Sequence, residues 1–342
     1  MTGIYDRTIQ VGKGIYIIAE MACAHDGDVK KAKRLIDAAV SAEADAIQLQ
    51  FFSRKDLMTP DHEVYELLGK IEFSPQQWGD IFAYARQSPI HVFACTYDVP
   101  SAKLAIELGV DGIKLNSSDL SNPDLLEVVA KSGIPYTLGT GGSTVEEIAQ
   151  AVETSISHGG DQIIIMHGIQ NFPTEIQHAQ INKMKMLKAL FPFPVGYQDH
   201  TDASHPFSRV IDLLAIGMGA CVVEKHITLD RSNKGTDYQA ALEPEELVEF
   251  VKMVRTAEMA MGSERIQPLG EKDREYRRFQ KKCIVSLESL KAGDVIEKGN
   301  IAFLRSGRTT DLSTSDVGRI LGKKLKRDVS PYQPLEWLDI QE

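Results

Sequence analysis

The 342-residue sequence predicts a closed barrel of eight parallel strands alternating with helices, followed by a small β-rich domain. Three observations carry this: eight short apolar runs separated by amphipathic segments, an alternating region of roughly 260 residues, which is the size of a TIM-type (β/α)8 barrel, and a change of pattern after Met261. In order, the runs are Ile15–Met21, Ala46–Phe52, His91–Thr96, Gly112–Ser117, Tyr136–Thr140, Gln162–His167, Pro194–His200 and Cys221–Thr228. They are apolar without strict alternation, as strands buried on both faces of a parallel sheet must be. Between the first two, Val29–Ala42 sets Ala32, Leu35, Ile36 and Ala39 on one stripe behind Asp28, a suitable N-cap. Ser101–Leu108, Pro123–Ala130, Thr144–Ser157 and Glu243–Met261 read as helices on the same grounds. Gly109, Gly133 and Gly159–Gly160 stand just past helical stretches, where a positive φ ends the helix. The competing architecture is a doubly wound open sheet, but no GxGxxG turn follows the first strand.

Domains are expected at 1–262 for the barrel, 263–282 for a charged linker or linking helix, and 283–342 for the β-rich piece. With about 60 residues, that last piece is too small for a large core of its own. Lys+Arg total 38 against 48 Asp+Glu, a formal net charge of −10, which argues against a protein that coats nucleic acid or an anionic membrane. No apolar run approaches the roughly 20 residues of a membrane helix, and the N-terminal MTGIYDRTIQ is no signal peptide, so a soluble cytoplasmic protein is expected. Cys23, Cys95, Cys221 and Cys283 are widely spaced with no CxxC, which points to reduced thiols.

In such a barrel, chemistry sits at the C-terminal ends of the strands. Nearly every run ends in polar residues: Glu20, Gln48 and Gln50, Thr96, Lys114 with Ser117, Thr140, His167, His200, and Glu224 with His226. Each alone reads as a hydrogen-bonded cap, but together they form a rim that asks for a ligand. His200 and His226 end successive strands, which lie about 4.8 Å apart, so the two imidazoles either cap the rim or share one divalent ion. Lys114 inside an apolar strand must reach the rim or meet an anion. Asn116, Ser117 and the Gly139–Ser143 turn ahead of a helix offer hydroxyl and N–H donors for a phosphate or carboxylate.

Over nearly its full length the chain resembles the bacterial sialic acid synthases, including the legionaminate and pseudaminate synthases. The resemblance rests on Ile18–Gly27 (IAEMACAHDG), Ala46–Phe51 (AIQLQF), Ile113–Asp119 (IKLNSSD), Leu138–Gly141 (LGTG), Gly196–Thr201 (GYQDHT), Val223–Thr228 (VEKHIT) and Ala241–Glu245 (ALEPE), in the family's order. Residues Lys281–Asp328 resemble the family's SAF (antifreeze-like) domain. The resemblance implies condensation of phosphoenolpyruvate with an open-chain N-acyl amino sugar aldehyde, giving a nonulosonic acid and phosphate. It implies a divalent cofactor, Mn2+ or Mg2+, on His200 and His226, and donor-holding roles for Lys114, Ser117 and Thr96. Glu20, Gln50, Asp119 and Asp237 match positions around the metal and the acceptor, and Arg305 matches an arginine lent to the acceptor by the partner of a domain-swapped homodimer. Thr140, His167, Gln170 and Phe172 match the remaining substrate side of the rim.

There are departures from the family pattern. Gln48 stands where a lysine is expected, Gly139 for the serine of LSTG, Ala24 for the asparagine before His25, and Gln170 with Phe172 for a small polar residue and a tyrosine. Losing a cation opposite an anion is not a neutral exchange. These changes keep two alternatives open: a divergent synthase with another acceptor or donor, and a catalytically weak sugar-binding paralogue.

Overall fold

The computed structural model describes residues 14–263, 265–308 and 310–341; the N-terminal MTGIYDRTIQ stretch lies outside them. The chain divides into two compact units, Met1–Gly262 and Ser263–Glu342. In the first, strands β1 (Tyr16–Glu20), β2 (Ala46–Phe51), β3 (His91–Thr96), β4 (Gly112–Leu115), β5 (Tyr136–Gly139), β6 (Ile163–His167), β7 (Val195–Asp199) and β8 (Val222–His226) close a parallel barrel in sequence order. The helices that cover it include α1 (Val29–Ser41), α2 (Arg54–Leu57), α3 (Tyr65–Ile71), α4 (Pro75–Ala85), α5 (Val99–Leu108), α6 (Pro123–Lys131), α7 (Val145–Ser157), α8 (Lys183–Leu190), α9 (Ile211–Gly217) and α10 (Pro244–Met261). Local chemistry starts many of them. Asp28 caps α1 through Lys30 N–H, Asp98 caps α5 through Ser101 N–H, and Thr144 with Glu147 closes a capping box on α7.

The strand register sorts side chains into two faces, because paired residues of a parallel sheet point the same way. One set fills the barrel: Tyr16, Ile18, Ala46, Phe93, Ile164, Met166 and Val222 pack together at its lower end. A Cβ on Gly112 would collide with the Phe93 ring, and one on Gly196 with the Met166 sulfur, so glycines make room for the large neighbours. The other set, including Ile17, Ile47, Val92, Ile113, Leu138, Ile165 and Val223, packs outward against the helices.

The second unit pairs β9 (Cys283–Ser286) with β10 (Ile301–Leu304), antiparallel, around a core that includes Ile284, Leu290, Ile296, Ile320, Leu325 and Leu335. The charged stretch 263–282 carries a helix, α11 (Glu271–Gln280), with no buried residue. All four cysteines are free. Among the described residues no helix is long and apolar enough to cross a membrane.

Candidate active site

Above the apolar floor of the barrel the inward positions turn polar: Glu20, Gln48, Lys114, Gln198 and Glu224. Lys114 on β4 reaches across the barrel to Glu224 on the opposite strand β8, and its Nζ lies 3.5 Å from Glu20 Oε2. The Gln48 amide donates to Glu20 and, at 3.1 Å, to Glu224 Oε2. Glu20 Oε1 accepts Ala22 N–H at 2.7 Å, across a turn in which Ala22 has φ 45°. One ammonium therefore faces two carboxylates in a site closed to solvent. Burial raises the Glu20 carboxyl to about 7, against the pull of Lys114. Burial alone would strip Lys114, but Glu224 and Glu20 outweigh it and hold the ammonium firmly charged.

His200, one residue past β7, and His226, at the end of β8, come together with ring centroids 5.1 Å apart. His200 Nδ1 lies 2.6 Å from the Ile169 carbonyl, which makes Nδ1 the donor and leaves Nε2 with its lone pair. Burial lowers the pKa of both rings, His226 further because His200 sits beside it, so both are neutral near pH 7 and able to serve as ligands. Phe172 packs on them, 4.3 Å from His200 and 5.5 Å from His226 between centroids. One donor atom each from His200, Glu224 and His226 lies within 4.8 Å of the others. Two neutral imidazoles and a carboxylate suit a divalent ion, so these residues fit the implied metal. Glu224 was visible in the sequence as a strand-end residue, but its partner Lys114 lies 110 residues away, a link no local pattern reveals.

The expectation of one continuous polar rim needs correction, because strand parity divides it. Thr96 pairs with Phe51 and Leu115 and so faces the helix layer; its hydroxyl is buried without a hydrogen-bond partner. His167 pairs with Tyr197, also outward, and its Nε2 lies 2.9 Å from the Ala179 carbonyl. Thr140 uses its hydroxyl on the Met166 carbonyl at 2.9 Å. Thr140 and His167 line a cavity of about 330 Å³ between the Gly141–Thr144 turn and α8. Gln170 packs against Gly141, where a Cβ would stand 2.7 Å from Gln170 Cγ.

The other expected residues are placed as follows. Ser117 follows β4, and its backbone N would lie 3.0 Å from a Cβ at position 139, a tight approach that asks Ser117 to give way. Asp119 is bonded to Ser118 Oγ at 2.7 Å, and burial raises its carboxyl. Asp237, at φ 59°, is likewise raised by burial and acts on the Cys23 thiol. Gln50 bonds to Cys23 and to Tyr97, a residue with no signal in the sequence reading. Arg305 is exposed just after β10 in the second unit.

Behind the imidazoles lies a second buried charge cluster that sequence reasoning missed. Lys225 donates to Asp199, to the Ser208 carbonyl at 2.6 Å and to Asp212 at 2.9 Å, all three side chains fully buried. Asp199 also accepts from Tyr197 Oη and from the Thr201 hydroxyl and N–H. Asp199 and Lys225 immediately precede His200 and His226, so this cluster fixes the backbone on which both imidazoles stand.

Comparison with known proteins agrees with this fold. Residues 35–266 match the NeuB family and residues 281–341 the SAF domain. The uncharacterised protein MJ1065 of Methanocaldococcus jannaschii is 33% identical over 98% of both chains. The N,N'-diacetyllegionaminic acid synthase of Legionella pneumophila is 30% identical over 95% of this chain and 94% of its own. The crystal structure of the N-acetylneuraminic acid synthetase of Leptospira borgpetersenii, bound to citrate, superposes with a TM-score of 0.71 and 31% identity, over 77% of this chain and 91% of that one. The chain is therefore a member of the NeuB family, with a SAF domain following its barrel.

Proposed function

We propose that this chain is a transferase of the sialic acid synthase type, condensing phosphoenolpyruvate with the open-chain form of an N-acyl amino sugar to give a nonulosonic acid and phosphate. The observation that carries this is the neutral pair His200 and His226 standing over the layer of Lys114, Glu224, Glu20 and Gln48. The synthases named above, one for a legionaminic and one for an N-acetylneuraminic acid, support a product of this class.

Bound at His200 and His226, a divalent ion, Mn2+ or Mg2+, supplies Lewis-acid polarisation of the acceptor's aldehyde. The chain's own groups do the rest. Lys114 offers its ammonium to the donor's anionic end, with Ser117 and the Gly139–Ser143 turn adding hydroxyl and N–H donors. Phe172 covers the imidazoles and keeps bulk water from that face. Gln50, Asp119 and Asp237 stand on the acceptor side. The donor's C3 attacks the aldehyde carbon, water adds at C2, and phosphate leaves by C–O cleavage. Arg305 completes the acceptor site in a domain-swapped homodimer: two inactive chains, Arg305→Ala and His226→Ala, should recover activity when mixed.

The test is phosphate release by the protein with Mn2+, phosphoenolpyruvate and a panel of N-acyl hexosamines. Release that needs both sugar and metal supports the proposal. Metal binding without consumption of phosphoenolpyruvate would overturn the donor. That second reading, a less anionic donor, draws on Gln48, which puts an amide rather than a second cation between Glu20 and Glu224.

A further inference from the structure

We propose that Glu224 is exchanged between Lys114 and the divalent ion, so that filling the ion's site frees the Lys114 ammonium for phosphoenolpyruvate. The inference rests on the function proposed above and adds a coupling between two of its ligands, carried by one carboxylate.

As the layer stands, Lys114 is fully engaged. β4 and β8 are four apart in the closed barrel and so face each other; the Lys114 ammonium crosses to Glu224 and lies 3.5 Å from Glu20. The Gln48 amide holds the other oxygen of Glu224 at 3.1 Å and also bonds Glu20, whose second oxygen takes Ala22 N–H. Lys114 is 4% exposed, and both carboxylates are buried more deeply still. Two carboxylates against one ammonium make the layer net anionic. An anionic donor entering it would meet repulsion in a desolvated site, where like charges are costly.

Glu224 belongs to two groups at once. Its carboxylate bonds Lys114, and one of its oxygens lies within 4.8 Å of a ring nitrogen on each of His200 and His226. Both imidazoles are neutral, so Glu224 is the charged member of that set. A Glu224 turned to a divalent ion no longer balances Lys114, and the ion's charge reverses the sign of the layer. The ammonium is then free to pair with the donor's phosphate or carboxylate.

The surroundings of the bridge allow a second arrangement. Thr137 pairs in register with Lys114 and shares its inward face, and its buried hydroxyl has no partner. Gln198 pairs in register with Glu224, and both ends of its buried amide are unpartnered. Unsatisfied groups thus flank each end of the Lys114–Glu224 bridge, and moving the two charges apart breaks no other bond of these neighbours. An element with two arrangements, each ligand favouring the same one, couples the two binding events.

The experiment titrates phosphoenolpyruvate by calorimetry into protein stripped of metal with a chelator and into protein saturated with Mn2+, and titrates Mn2+ with no donor present. The wild type, Glu224→Gln and Lys114→Met are compared, with circular dichroism checking each fold. In the wild type Mn2+ should tighten the donor at least about tenfold. Glu224→Gln removes the charge that holds Lys114 at unchanged size. Without metal it should bind the donor at least about tenfold more tightly than the metal-free wild type, and its gain from Mn2+ should be at least about fivefold smaller. Lys114→Met ends the competition from the other side and should tighten Mn2+ at least about fivefold. Metal-free Glu224→Gln binding the donor no better than the wild type, or Lys114→Met binding Mn2+ no better, would overturn the exchange, while donor binding by the Mn2+-loaded wild type keeps the proposed function standing. Equal donor affinity of the wild type with and without Mn2+ would overturn it without recourse to any variant. No donor binding even with Mn2+ would overturn both.

Discussion

His25 gives the site an acid limit that can be worked out from its surroundings. It lies in the turn after β1, wholly buried, stacked on Phe73 with centroids 4.4 Å apart and edge-on to Trp78 at 6.0 Å. Its Nδ1 accepts Gly27 N–H at 3.1 Å, so the neutral ring carries its proton on Nε2, which has no partner. Burial lowers its pKa from 6.5 to about 4. The unfolded chain therefore takes up this proton first as pH falls. The stabilisation is complete above about pH 6.5 and is lost progressively toward pH 4. With those two values the loss is about 2 kcal/mol between pH 7 and pH 5 and about 3 kcal/mol by pH 4. In His25→Asn the amide oxygen replaces Nδ1 as acceptor and the titration disappears, at the cost of a void that does not vary with pH. The two tryptophans are Trp78 and Trp337, so urea unfolding followed by fluorescence in a Trp337→Phe background reports on the barrel. The stability gap between the parent and His25→Asn should shrink by about 2 kcal/mol from pH 7 to pH 5. His167, His200 and His226, also lowered by burial, remain in both proteins and cancel. A gap that stays constant across this range would refute the buried neutral imidazole. The turn also carries Ala22, whose N–H holds Glu20, so acid should loosen the site before the barrel melts.

Lys225→Met should cost about 3–5 kcal/mol in urea unfolding, the usual price of leaving a buried charge unpaired; Asp212→Asn in the same chain should recover part of it, and no recovery would count against the shared cluster. Gly27→Ala meets the Lys70 carbonyl at 2.7 Å with φ +76°, and a melting temperature unchanged by that substitution would show the turn to be differently built. Gln48→Lys adds a second ammonium between Glu20 and Glu224 and should lower KM for phosphoenolpyruvate in the metal-dependent phosphate assay; an unchanged KM would place the donor away from residue 48.

The barrel was legible because its signal is local: an apolar run and an amphipathic segment, repeated eight times. The two histidines were legible because each ends such a run. What escaped the sequence was which way neighbouring letters point. Thr96 and His167 look like rim residues in a list of strand ends, yet the pairing of Thr96 with Phe51 and of His167 with Tyr197 turns both toward the helices. Gly139, a departure on paper, lies against the backbone of Ser117 just past β4, which would crowd a side chain there. Gln48, read as a gap in an anion site, lies between two carboxylates, a fact set by β1 and β8 rather than by its own neighbours. Tyr97 gave no sign because its bonds come from amides supplied by β2 and by the residue after β4.

The same alternation explains how β8 serves scaffold and chemistry at once. Glu224 points inward to Lys114, and Lys225, the next residue, points outward to Asp199 and Asp212. Each side is a buried ammonium with two carboxylates, and on each side burial raises one of them to about 7: Glu20 within, Asp212 without. The electrostatics are alike, so they do not decide function; position does. The outer cluster is enclosed, and Lys225 already has three oxygen partners. The inner one lies beneath His200, His226 and the half-buried side chains of the mouth, beside the orphaned Gln48 Oε1 and the wholly unpartnered Gln198 amide. Unsatisfied buried groups at the ends of the strands are positions where a ligand gains bonds without displacing any. Two arrangements of equal charge thus diverge by one residue's parity, one bracing the imidazoles and the other facing what they bind.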